Sequence, residues 1–264
     1  MSPRISTCSA VPGDAAPAAW VPVTQRRRLD PLTRAATAAV DRLGVPRFAP
    51  DTALVVSTSY GAIESTHRFA LSMAAYGDRG ASPTPFTASV HNSCAGSLGE
   101  MLGLHGPCTT LSQGGTGTLA ALRWALLVLG AGRAPAVLAV IGDRHNAWSR
   151  RIVSELAFCP WPIGDGVAAL LIERGTGPGR ELRWGAHPAP LHLDGGAFTA
   201  TDEALLTAAA GTARRERAAD RIGAWWPCCL AAALPTRWDE SGAIQLREAE
   251  GGQMLAAWLG ERTP

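Results

Sequence analysis

The sequence predicts an α/β fold, a mostly parallel sheet packed by helices. Three observations carry that prediction. Short apolar runs such as Ala53-Leu54-Val55-Val56 and Ala136 to Ile141 lack polar alternation, as strands buried on both faces require. Longer stretches of helix length lie between them, and Gly- or Pro-rich punctuation falls at the joints. Up to about residue 173 the elements run strand–helix–strand–helix–helix–strand–helix–strand–strand, which is the order of a layered α/β architecture.

Taken in turn, residues 3–10 form a first strand, followed by a Pro/Ala-rich connection to Val23. A helix over 31–43 opens at Pro31 and is closed by Gly44-Val45-Pro46. Ala53 to Val56 is a buried strand, Ile63 to Tyr76 a helix, and Asp78 to Pro85 a loop of Gly, Ser and Pro. Another helix follows Asn92. Cys108 to Ser112 is a strand, Gln113 to Gly117 a bend, 118–130 an apolar helix and Ala136 to Ile141 a strand. Past Glu173 the pattern weakens. GTGPGR is a turn-rich connection, Ala204 to Arg221 reads as a helix with an Arg-rich face, Trp225-Trp226-Pro227-Cys228-Cys229 as an apolar knot, and Met254 to Leu259 as a final short helix.

With 264 residues the chain is long enough to bury about 70–75 % of the surface its unfolded form exposes. A net charge of +2 gives no reason to expect a nucleic-acid or membrane surface. All 24 basic residues are Arg, so Schiff-base chemistry on a lysine is excluded. The six cysteines (8, 94, 108, 159, 228, 229) have no paired zinc spacing, and the start MSPRISTCSAVPGD has no apolar core of signal-peptide length. No run approaches a membrane span. A cytoplasmic, reducing setting is expected.

The chemically informative strip runs from His91 to Arg133. Its strand, Gly-rich bend and apolar helix are built as a turn that presents one side chain to a helix N-terminus. Free N–H groups and the helix dipole favour a thiolate or oxyanion there. The bend itself, Gln113-Gly114-Gly115-Thr116-Gly117, carries no nucleophile.

This strip resembles the N-terminal half of the β-ketoacyl synthases, condensing enzymes with the thiolase-like fold. The matching residues are Asn92, Gly96, Gly103-Leu104 and Gly106-Pro107, then the strand, the bend and the helix ending near Gly132. Gln25 to Leu43, Val55 to Phe69, Ser82 to Asn92 and the Gly-acid-Gly strand Gly164 to Glu173 extend the likeness over roughly residues 3–173. Laid on the family pattern without gaps, its reactive Cys falls on Gly115; a shift of two residues puts it on Gln113. A Gln at that place resembles the chain-length factors of type II polyketide systems, the non-condensing partners of ketosynthases.

The resemblance implies a thiolase-like half over 1–173, with 174–264 as a short extension in place of the usual second half and its two malonyl-handling histidines. It implies no catalytic residue and no cofactor. The expected role is a chain-length-factor-like subunit, paired as a heterodimer with a ketosynthase that has its Cys and His residues intact, and visited by an acyl carrier protein. Ser89, Asn92, Ser112 and Thr116 are interface candidates; Ile63, Phe69 and Met73 are candidates for the tunnel wall.

Other readings rest on single residues. A stand-alone acyl-thioester transferase or hydrolase would need Cys94, Cys108 or Ser112. The cysteines read as small buried residues, and Ser112 lacks the Gly-x-Ser-x-Gly elbow. His187 and His192 read as solvated loop histidines, and with Asp194 as the one nearby carboxylate no metal is expected. Arg26-Arg27-Arg28 and Arg214, Arg215 and Arg217 are candidate docking points for an acidic carrier protein, weighed against solvated helix faces. The bend lacks the Lys-Ser/Thr of a phosphate loop.

Overall fold

The computed structural model describes residues 1–264 apart from 157–161, 188, 190, 197–199, 223, 225 and 251–252. Cys159 and Trp225 therefore lie outside the described residues. The first five strands are β1 (Pro3–Pro12), β2 (Ala53–Ser57), β3 (Cys108–Leu111), β4 (Ala136–Asp143) and β5 (Gly166–Arg174). The next five are β6 (Gly179–Trp184), β7 (Leu191–Gly196), β8 (Arg214–Arg217), β9 (Ile244–Glu250) and β10 (Gln253–Thr263). Hydrogen bonding joins them in the order β3-β2-β4-β5-β1-β6-β10-β9-β7-β8. Read outward from the centre, each side is first, fifth, fourth, second, third.

The two sides are one plan used twice. In each, three outer strands run parallel (β2 with β3 and β4, β7 with β8 and β9) and the inner pairings are antiparallel. A short antiparallel contact, Arg4 opposite Glu181 and Ile5 opposite Arg180, joins them. The sheet is thus mixed, with the expected parallel pairing confined to the outer strands. Where the sequence suggested a short extension in place of a second half, residues 179–263 supply five strands in mirrored order, and the joint is the turn 175–178.

The helices are α1 (Val23–Arg26), α2 (Pro31–Asp41), α3 (Ile63–Gly80), α4 (Pro83–Thr87), α5 (Ser93–Leu102), α6 (Gly117–Gly130), α7 (Ala147–Leu156), α8 (Ala200–Ala208), α9 (Ala218–Ile222) and α10 (Cys229–Ala233). In α2, Asp30 accepts from the Leu32 N–H at 2.9 Å and Pro31 occupies the first helical position, as the sequence predicted. Along β2, β4 and β5 alternate side chains enter two different cores. Val55, Val137, Ala139, Ala168 and Leu170 meet α6, whereas Leu54, Leu138, Val140 and Ala169 meet α2 and α5. Helix α6 is apolar nearly all round because it packs on β2 and β4 and also on β9 and β10. Helix α10 likewise touches β1, β4, β5 and β7. The two half-sheets therefore face one another across a shared helical layer, with α2 and α5 outside one and α8 outside the other.

Some elements differ from their sequence prediction. Helix α3 runs past Tyr76 to Gly80 through a break at Gly77 (φ 67°), and α4 lies in the expected loop 78–85. Helix α7 was not predicted. The expected helix 204–221 is instead α8, β8 and α9, and Met254 to Leu259 lies within β10. In both cases an open strand edge decides: β8 pairs with β7, and β10 fills the place between β6 and β9, so tertiary pairing overrides local preference. The neighbouring strands also ion-pair. Asp194 on β7 is fully buried and holds Arg247 of β9 at 2.7 and 2.9 Å and Arg215 of β8. Such buried charges are tolerated only when paired. No helix among the described residues is long and apolar enough to cross a membrane.

Candidate functional site

Parallel strands deliver their C-terminal ends to one place, and here β2, β3 and β4 bring theirs to the start of α6. Strand β2 leaves through Thr58-Ser59-Tyr60-Gly61, β3 through Ser112 to Thr116, and β4 ends on Asp143. One oxygen of Asp143, Oδ1, gathers the first of these loops. It accepts from the Ser59 N–H at 2.7 Å, the Thr58 hydroxyl at 2.9 Å and the Tyr60 N–H at 3.0 Å. The loop in turn braces the bend: Ser57 donates to the Gly117 carbonyl at 2.8 Å and Ser59 to the Gly114 carbonyl at 3.1 Å.

The second half reaches the same point through β9. Residues two apart share a strand face, so Glu248 and Glu250 lie on the side of β9 that carries Ile244 and Leu246 toward α6. Glu250 Oε2 accepts from the Gly115 N–H at 2.9 Å, and Glu248 Oε2 accepts from the Leu119 N–H at 2.8 Å. Gly114 has a φ of 49°, and a Cβ there would overlap the Glu250 carboxylate, so the glycine serves both the turn and the approach. Burial pushes the Glu248 carboxyl up to about 8, opposed in part by the Leu119 N–H. Burial raises Glu250 as well, with the Gly115 N–H opposing and the Asp202 charge adding to the rise.

A cysteine also lies here, on the far side of the helix start. A Cβ added to Gly117 would stand 2.8 Å from Cys228 Sγ, so close packing needs that glycine. Burial, with the charges of Asp143 and Glu248, holds the Cys228 thiol well above its usual range. Tyr60, edge-on to His145 at 4.7 Å, is pushed up to about 12, chiefly by burial and then by Asp143. Burial lowers His145, against the pull of Asp143 and Asp165. Burial and the neighbouring carboxylates thus disfavour the thiolate of the thiol at hand.

The structure places the sequence candidates as follows. Gly115 is buried in the turn Gly114–Thr116 before α6, Gln113 and Ser112 are exposed, and Thr116 donates to the Gln113 carbonyl at 3.0 Å. The Ser112 hydroxyl donates to the Ser59 carbonyl at 3.4 Å rather than to a histidine. Cys94 is buried with its thiol pushed up to about 12 by burial; Cys108 is exposed, its thiol also raised by burial. Neither meets a base. Ser89 is half-buried and Asn92 exposed. On α3, Ile63 and Phe69 are half-buried, Phe69 lying 5.1 Å from Phe86, whereas Met73 is exposed. These three do not join the bend.

Three readings of the second half change. His192 is buried in β7 and His187 stacks on Trp258 at 4.1 Å, so neither is a solvated loop residue. Asp194 is engaged by arginines, and no group of three or more His, Cys, Asp or Glu able to hold a metal occurs among the described residues. Arg214, Arg215 and Arg217 pair with Glu240, Asp194 and Glu203, which removes them as free docking points; Arg27 and Arg28 remain exposed. Sequence reasoning missed Asp143, Glu248 and Glu250. The Leu-Arg-Glu-Ala-Glu alternation at 246–250 was the available signal.

Known proteins give a consistent picture. The family described as "Beta-ketoacyl synthase, N-terminal domain" matches residues 5–161. No curated protein matches the chain. Among solved structures, the ishigamide ketosynthase/chain length factor is similar at a TM-score of 0.74 and 18% identity, covering 100% of both chains. A type II acyl-carrier protein complex with its ketosynthase bound to the hexaketide is similar at 0.77 and 12%, covering 99% of each chain. A ketosynthase in complex with its chain length factor from Xenorhabdus doucetiae is similar at 0.53 and 21%, covering 71% of this chain and 85% of that one.

The raised Glu248 carboxyl sets a pH dependence of stability. As pH rises past the ordinary glutamate value of about 4.3, the unfolded chain ionises first and native stability falls, until Glu248 itself ionises near 8. The decline this group contributes is at most about 1.4 kcal/mol per pH unit. Glu248→Gln, which keeps an acceptor for Leu119, should therefore gain stability relative to the parent between pH 5 and 8. Melting curves of both across that range check this; a stability difference that does not change with pH would refute it.

Proposed function

The chain belongs to the β-ketoacyl synthases through its N-terminal domain, and we propose that it is a non-catalytic, chain-length-factor-like subunit within that family. It pairs with a ketosynthase that supplies the Cys and the two His, and it shapes the acyl tunnel in type II polyketide or polyene biosynthesis in the cytoplasm. One observation carries the reading. The bend on which the resemblance lays the family's cysteine, at Gly115 or Gln113, has no thiol, and the Gly115 N–H is held by Glu250. Condensation needs a thiolate to carry the chain, an oxyanion hole and a group that stabilises the extender's enolate. A buried thiol beside two carboxylates supplies none of these.

Likeness in fold to ketosynthase and chain length factor pairs supports the role. On this reading residues 1–173 are the family's N-terminal domain and 174–264 a short C-terminal extension that replaces the usual second half. The partner docks around Ser89 to Gly115, a stretch that includes β3, the edge strand with no strand on its outer side among the described residues. Exposed Tyr76, Phe86 and Val90 give the same flank an apolar surface. An acyl carrier protein approaches near the exposed Arg27 and Arg28.

Two outcomes test the role. Co-expressed with a ketosynthase partner whose Cys and both His are intact, the chain should purify as a 1:1 complex burying more than roughly 2,000 Å². Expressed alone it should self-associate or precipitate, and a monodisperse monomer at micromolar concentration would contradict the pairing. In the complex, Met73→Trp should shorten the products and Met73→Ala lengthen them, since a tunnel end is set by side-chain volume. Mass spectrometry of the products reads the effect. An unchanged distribution for substitutions at Ile63, Phe69 and Met73 alike would move the wall elsewhere.

A further inference from the structure

We infer that Glu250 is an intramolecular occupant: the second half of the chain places a carboxylate in the oxygen-anion site at the start of α6 and so closes that site to small carboxylates and thioester oxyanions. The inference stands on the geometry of the bend and does not depend on which partner the chain takes.

A helix start leaves N–H groups unpaired and carries the positive end of the helix dipole, which makes it a ready anion site. Helix α6 is 14 residues long, and its approach, Gly114–Thr116, is a tight turn in which Gly115 is buried with its N–H on Glu250. The group found on that N–H is a carboxylate oxygen 135 positions later in the chain, at 2.9 Å. An oxygen anion is what this geometry would otherwise take from a ligand. The site is also built to admit it, because the missing Cβ of Gly114 is the volume the carboxylate fills.

A second observation points the same way. Glu248 lies one turn further into the helix start, fully buried, with Oε2 on the Leu119 N–H and Thr118 also donating to its carboxyl. The second half thus sets carboxyl groups on successive N–H groups of the same helix start. Glu248 is too deep to leave. Glu250 is only half-buried at the end of β9, so it is the group whose removal opens the site without dismantling the sheet. A substrate carboxylate or thioester oxygen arriving at the bend would have to displace Glu250 and would meet its charge.

The test is chemical rescue of the full-length chain, alone or with its partner, using formate as the probe and chloride at equal ionic strength as the control. Glu250→Ala should melt lower than the parent. Formate at about ten times its dissociation constant should then raise that melting temperature by about 2–4 °C, while chloride does not. The parent and Glu250→Gln, which keeps an acceptor in place, should not respond. An equal formate response in the parent and in Glu250→Ala, or none in either, would overturn the inference. Glycine-selective 15N labelling of Glu250→Gln gives an independent reading if the alanine variant does not fold. The Gly115 amide resonance should shift when its acceptor loses charge, and an unmoved resonance would equally overturn it.

Discussion

Two carboxylates from β9 on the N–H groups at the start of α6 are the contact on which the rest of this structure depends. Helix α6 belongs to the first half and the carboxylates to the second, so each half completes the other. Without β9 the helix would begin with unpaired N–H groups in a buried place, which folded proteins avoid. Without α6 the inner face of β9 would hold buried acids with no donor. Mutual need of this kind ties residues 179–263, whose five strands bring β9 to the bend, to the first half.

Packing follows from the same arrangement. A helix layer shared by two half-sheets has little solvent face: α10 is Cys-Leu-Ala-Ala-Ala, and α6 is mostly Leu, Ala, Val and Gly with Arg123 and Leu127 exposed. Small residues let the sheets approach: Gly117 against Cys228 and Ser57 is one such point, and Gly195 against Leu230 is another. Charged side chains that end up inside are tied to the backbone or to each other. Arg180 donates to the carbonyls of Gly242 and Gly260 at 3.0 Å and of Trp238 at 3.2 Å, which pins the turn before β9 to the middle of the sheet.

Most of the first half was legible in the sequence because its signals are local. The Pro31 start of α2, the apolar runs of β2 and β4, and the Gly-rich approach to α6 each act within a few residues. The missing thiol was legible too, since absence at a bend can be read directly. The second half was not legible, because its strands exist through pairing. Arg214 to Arg217 reads as part of a charged helix until β7 lies beside it, and Met254 to Leu259 reads as apolar helix until β6 and β9 flank it. The occupant of the bend was hidden for the same reason: Gly115 and Glu250 are 135 residues apart, and Leu119 and Glu248 are 129 apart.

The most direct measurement of the central claim is the reactivity of a thiol placed at the bend. In Gly115→Cys the new side chain sits at a helix start that would normally lower a thiol pKa, but with Glu250 already on the N–H. Alkylation at residue 115, followed by peptide mass spectrometry across pH, reports its ionisation. The account predicts an unactivated thiol in the single variant. It also predicts a rate about tenfold higher at pH 7 when Glu250→Gln is added, equivalent to about one pKa unit. A thiol in Gly115→Cys that already reacts as a low-pKa thiolate, with no change on neutralising Glu250, would contradict it.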